Sequence, residues 1–138
     1  MKIEKQVCNL KLAKKLKKLG VKQESIWYWV AGDVYLKEKA DKVDRLIQPT
    51  SAFTVAELGE MLPQFIKTKT THYSLHQYKE RNVNFIKYVR TNQNWISGLP
   101  EMTHYDFVCS LPTESIIGTE ANVRAKMIIY LRENKLLD

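Results

Sequence analysis

The chain has 138 residues, 44% of them hydrophobic and 27% charged, and its 22 Lys and Arg against 15 Asp and Glu give a formal net charge of +7. That balance is the composition of a globular protein with room for a real core, and it excludes a disordered chain. Two cysteines, Cys8 and Cys109, are too few for a disulfide framework and are expected to be reduced thiols.

No apolar run approaches the ~20 residues that span a bilayer. The opening MKIEKQVCNLK lacks the apolar core of a signal peptide, so a cytoplasmic setting without a membrane is the expectation. The positive excess is N-terminal: residues 1–50 carry 12 basic and 6 acidic side chains, 51–100 carry 6 and 3, and 101–138 carry 4 and 6.

The first element follows from Leu12, Ala13, Leu16 and Leu19, whose spacing makes one apolar face of a helix. Asn9 caps its start and Gly20 ends it. Lys11, Lys14, Lys15, Lys17 and Lys18 fall on its polar side. Such a face keeps a surface helix soluble or meets a polyanion, and lysine without interleaved Arg, Gly or aromatics is a weak nucleic-acid signal.

Ser25 to Val30 gathers β-branched and aromatic residues, among them Trp27, Tyr28 and Trp29, and reads as a strand. A hairpin through Gly32 and Asp33 then leads to Val34-Tyr35-Leu36. The alternative is a second helix over Lys22 to Trp29, giving a helix-turn-helix across residues 10–30 with Lys22, Gln23 and Tyr28 facing DNA. Against it, Leu16 stands where that motif wants a small residue, Trp27 and Tyr28 would both be exposed, and the run is richer in strand formers. From Lys37 to Arg45 the charged chain suits a loop or short helical turn.

Thr54 and Glu57 form a capping box, with Phe53 and Leu58 as the hydrophobic staple around it. Val55, Leu58 and Leu62 share a face, and Pro63 stops this short helix. Beyond Phe65 the pattern alternates. His72 to Tyr78 and Val83 to Val89 read as neighbouring antiparallel strands broken by Glu80-Arg81-Asn82. A further strand is expected through Tyr105, Phe107, Cys109 and Leu111. Thr119 caps a last helix with Glu120 in its first turn, and Ala121, Ala125, Ile128, Ile129 and Leu131 form the stripe that should lie on the sheet. Arg124 falls within that stripe, so it either snorkels at the sheet edge or is held by a carboxylate or a ligand.

The order of helix, strands, helix, strands, helix predicts one α+β domain over 1–138, an antiparallel sheet with about three helices mostly on one face. Signals for chemistry are sparse. His72 and His76 share a face, as do His104 and Asp106, but without partners at metal-ligand spacing they are expected to face solvent and no metal is assigned. Cys109 and His104 fall on opposite faces of their strand. No phosphate-binding glycine loop, nucleophile elbow or Cys-x-x-Cys occurs, so no catalytic residue, cofactor or enzymatic activity is expected.

Three segments, LKLAKKLKKLGVKQESIWYWV, SAFTVAELGEMLP and TEANVRAKMIIYLRENKLL, together resemble the recurring blocks of a group of small bacteriophage and prophage proteins. The resemblance implies a compact domain encoded by a phage or an integrated element, and it brings no activity, cofactor or catalytic residue. The expectation for function is a non-enzymatic module that binds a host or phage protein through the free face of its aromatic-rich sheet. Nucleic-acid binding through the N-terminal lysines is next. The candidate contact residues are Lys11, Lys14, Lys15, Lys18, Lys22, Trp27, Tyr28 and Arg124.

Overall fold

The fold is that of a computed structural model, which describes residues 2–42, 48–69, 71–90 and 111–137. The chain is α+β with antiparallel sheets, and it divides into two compact units: unit 1 is Met1–Leu62 with Thr119–Asp138, and unit 2 is Pro63–Gly118.

Unit 1 begins with a 3-10 turn at Ile3–Lys5, followed by helix α1 at Leu10–Lys18. Asn9 caps α1 as the sequence predicts, its side chain accepting from the Leu12 N–H at 2.9 Å. At the other end Gly20 takes φ +84°, the Gly20 N–H donates to Lys17 O and the Val21 N–H to Leu16 O, each at 3.1 Å. This paired closure is the Schellman arrangement, which needs a left-handed residue at that position.

No second helix occupies Lys22 to Trp29. Residues 21–26 form no regular element, and Trp27–Val30 is strand β1. The helix-turn-helix alternative over 10–30 is therefore overturned: aromatic and β-branched side chains pack on a pleated surface rather than forming a second coil. β1 is the middle strand of a three-stranded sheet, between β2 (Asp33–Leu36) and β3 (Thr50–Ser51). The β1–β2 turn sits one residue earlier than predicted. Val30 pairs with Asp33, so Ala31 and Gly32 are the turn residues, both at positive φ as a type I′ turn requires. A single helical turn, α2 at Lys37–Ala40, begins the charged stretch; the part of that stretch over 43–47 lies outside the described residues.

Helix α3 (Val55–Met61) carries the predicted capping box, and both staple residues, Phe53 and Leu58, are fully buried. The Glu57 carboxylate does more than close the box. Oε2 accepts from the Thr54 N–H at 2.7 Å, the Thr54 hydroxyl at 2.9 Å and the Ser25 hydroxyl at 3.0 Å, while Oε1 accepts from the Ile26 N–H at 3.0 Å. One side chain thus fixes the start of α3 and the approach to β1.

Helix α4 (Glu120–Glu133) packs chiefly against α1 and α3 rather than against strands. Besides the predicted stripe it buries Val123 and Met127, so it is enclosed on nearly all sides. Its capping Thr119 accepts from the Asn122 N–H, and Asn122 Oδ1 in turn accepts from the Asn9 N–H at 2.9 Å, tying the starts of α1 and α4 together.

Among the described residues, unit 2 carries a four-stranded antiparallel sheet in the order β4 (Phe65–Lys67), β5 (His72–Glu80), β6 (Val83–Arg90), β7 (Leu111–Gly118). The predicted β5–β6 hairpin is present in continuous register from Tyr73↔Arg90 to Glu80↔Val83, turning at Arg81 and Asn82. The strand expected through Tyr105, Phe107 and Cys109 falls outside the described residues, apart from Leu111, which begins β7. The β6–β7 pairing shifts register between Ile86 and Tyr88.

Two outcomes follow. Replacing Glu57 with Ala orphans donors at both the α3 start and the β1 approach, so chemical denaturation should show a loss of about 3 kcal/mol, against about 1 kcal/mol for Thr54→Ala. The second concerns Cys8, a fully buried free thiol whose burial pushes its pKa up from 9.0 to about 11. Its contribution to stability is complete below pH 9 and is lost as pH rises to about 11, at most about 3 kcal/mol. Burial also raises the Tyr88 hydroxyl, which acts in the same direction, and lowers Lys87, which opposes it. Denaturation at pH 9 and pH 11 should therefore show a smaller loss in Cys8→Ala than in the native chain.

Candidate functional site

The sheet of unit 2 presents side chains of alternating direction, and the register sorts them. Phe65, Ser74, His76, Tyr78, Val83, Phe85 and Lys87 fall on one face, because Phe65 pairs with Ser74, His76 with Lys87, Tyr78 with Phe85 and Glu80 with Val83. At the turn end of this face the rings of Tyr78 and Phe85 stack with centroids 4.9 Å apart and planes 3° from parallel. Tyr78 is 40% exposed and Val83 beside it 37%. Phe65 on β4 is 69% exposed and stands about 13 Å along the strand direction from this cluster, four residues at about 3.3 Å each. Tyr78, Val83 and Phe65 thus leave apolar surface open to solvent, and exposed apolar surface of this kind marks contact sites.

The middle of the same face is polar. Ser74 Oγ lies 3.2 Å from His76 Nε2, and Lys87 is directly across from His76. Lys87 is only 1% exposed, at the register shift in β6, and burial lowers its ammonium pKa because the charged form loses water. Sequence reasoning missed this lysine. Alternation alone places it opposite Ile86 and Tyr88, on what looks like an outward face, although all three are buried. His72 and His76 are half-buried rather than freely exposed, and among the described residues no group of three or more His, Cys, Asp or Glu side chains converges on a metal-sized space. His104, Asp106 and Cys109 lie outside the described residues.

The lysine candidates lie in unit 1. Lys11, Lys14, Lys15 and Lys18 are exposed on one side of α1, opposite buried Ala13 and Leu16. Lys15 is held by Glu133 at 2.7 Å and Lys22 by Glu24 at 2.8 Å, while Lys17 donates to Pro49 O at 3.4 Å. Lys22 sits in the connection after α1, well before any strand.

Trp27 is half-buried on β1, and its neighbour Trp29 donates from Nε1 to Cys8 O at 3.0 Å. Tyr28 belongs to the core. Its ring clusters with Val30, Ala40 and Tyr35, and its hydroxyl donates to Gln23 O and accepts from the Ser25 N–H. It offers no contact surface, because the period of two turns Tyr28 inward with Val30.

Arg124 is half-buried and held by a carboxylate, the second of its two expected settings, rather than snorkelling at a sheet edge. Its guanidinium donates to Val55 O at 2.9 Å and to the Glu120 carboxylate at 2.8 Å, joining α4 to α3. It lies over Gly59, where a Cβ would collide with Nη1, and this explains a glycine inside a helix. Arg132 reaches from α4 to Leu19 O at the end of α1, 3.3 Å away. Gly59→Ala would raise helix propensity by about 1 kcal/mol in open space. With Arg124 present it should instead destabilise by about 1–2 kcal/mol, and in the Arg124→Ala background it should stabilise. A denaturation cycle over the four variants reads the change of sign.

Among the described residues no helix is long and apolar enough to cross a membrane. No protein-family model, curated protein or solved structure matches the chain.

Proposed function

We propose that this chain is a non-enzymatic binding module whose partner is a protein, engaged at the exposed turn end of the unit 2 hairpin, where Tyr78 and Val83 flank Phe85. The observation that supports the reading is an exposed tyrosine, Tyr78, stacked on the half-buried ring of Phe85 with an exposed valine, Val83, beside it on a hairpin in unbroken register. Aromatic side chains give large contact area for little lost side-chain freedom, and they anchor many protein interfaces. The likeness of the three quoted segments to phage and prophage proteins supports a host or phage protein as the partner, met in the cytoplasm of a bacterial cell.

Substituting Tyr78→Ser together with Val83→Ser removes apolar surface at exposed positions and should leave the thermal unfolding midpoint within a few degrees of the native value. Affinity capture from host lysate should return a protein retained by the native chain and lost with the double variant. Repeated capture in which the two chains retain the same proteins sinks the reading.

A further inference from the structure

We propose that the outer face of α1 docks the phosphate backbone of duplex nucleic acid through Lys11, Lys14 and Lys18. The proposal rests on unit 1 alone and is independent of the protein-binding reading for unit 2.

The structure separates the five lysines of α1 in a way the sequence does not. Lys15 and Lys17 are engaged, by Glu133 and by Pro49 O. Lys11, Lys14 and Lys18 are exposed and make no hydrogen bond or ion pair among the described residues. They stand at helical spacings of three and four, which aligns them as one ridge. Lys11 and Lys18 are about 10 Å apart along the axis at about 1.5 Å per residue. Over that length duplex DNA presents about six phosphate charges, one per ~1.7 Å, so a straight row of amines faces a line charge of opposite sign.

The geometry also selects among anionic partners. A helix that lies in a membrane surface turns an apolar face into the lipid. Here the apolar residues Ala13 and Leu16 are fully buried within the protein and Leu10, Leu12 and Leu19 are half-buried, so α1 turns no fully exposed apolar side chain outward beside the lysine ridge. Flexible ammonium groups act as point charges, so the ridge would hold a backbone without reading its bases.

The test is a fluorescence anisotropy titration of the full chain against a short labelled DNA duplex at several salt concentrations. Three neutralised phosphates give a slope of about −2.7 in log K against log salt, so binding should weaken about 500-fold between about 20 and 200 mM salt. The variant Lys11→Gln/Lys14→Gln/Lys18→Gln should lose at least 100-fold in affinity at the lowest salt, by the same counterion argument. A control variant, Lys37→Gln/Lys39→Gln/Lys42→Gln, removes equal charge from another exposed stretch and should bind within about threefold of the native chain. Circular dichroism establishes that both variants are folded. No binding at the lowest salt overturns the proposal. So does equal weakening by the two triple variants, which would mean diffuse attraction to a basic protein, and so does retention on anionic lipid vesicles without duplex binding.

Discussion

Unit 1 depends on one carboxylate. Glu57 accepts four hydrogen bonds, two from the residue that caps its own helix and two from the segment that leads into β1. A helix start leaves backbone N–H groups without partners, and an irregular approach to a strand does the same. Both needs are met here by a single ionised group, which binds N–H donors more strongly than a neutral acceptor does. Because the approach to β1 is fixed, Tyr28 and Val30 are turned into the core. Trp29 is set on the other face, where its indole reaches the Cys8 carbonyl. The middle strand of the first sheet is thereby positioned from outside the sheet.

The second organising element is α4, and its polar residues explain how it is seated. Apolar contact alone leaves a helix free to rotate and slide, since many arrangements bury similar area. Arg124 and Arg132 remove that freedom, each donating to a backbone carbonyl of a different helix, Val55 O in α3 and Leu19 O at the end of α1. Both guanidinium groups keep one Nε buried without a partner among the described residues, so the arrangement carries a desolvation penalty. A fixed orientation is what that penalty accompanies, in keeping with buried polar groups that specify a register. Gly59 is part of the same device, because a Cβ there would force the guanidinium to shift from its place against Val55 O and Glu120.

The features that sequence made legible are local ones. The Asn9 cap, the glycine stop after α1, the Thr54–Glu57 box with its staple and the β5–β6 alternation each rest on residues within a few positions of one another. The structure reproduces them. The departures all involve distant partners. Ala31 rather than Asp33 joins Gly32 in the first turn, because the register of the β1–β2 pairing decides which residues must adopt positive φ. For Arg124 the sequence leaves open a sheet edge or a carboxylate; Glu120 is that carboxylate, while the second acceptor, Val55 O, comes from 69 positions away. Glu57 read as a cap alone, since Ser25 and Ile26 lie far behind it in the chain. The burial of Lys87 and the exposure of Tyr78 and Val83 carry no local signature either. Alternation tells which side chains share a face but not whether anything covers it.

Unit 1 is discontinuous in sequence. Its polypeptide departs after Leu62 and returns only at Thr119, with the whole of unit 2 between. During synthesis α1, the first sheet and α3 therefore emerge with their shared apolar surfaces still lacking α4, and they wait for it while 56 intervening residues, 63 to 118, are made. The described strands of unit 2 are all made before α4, so the later-starting unit is the earlier one able to finish.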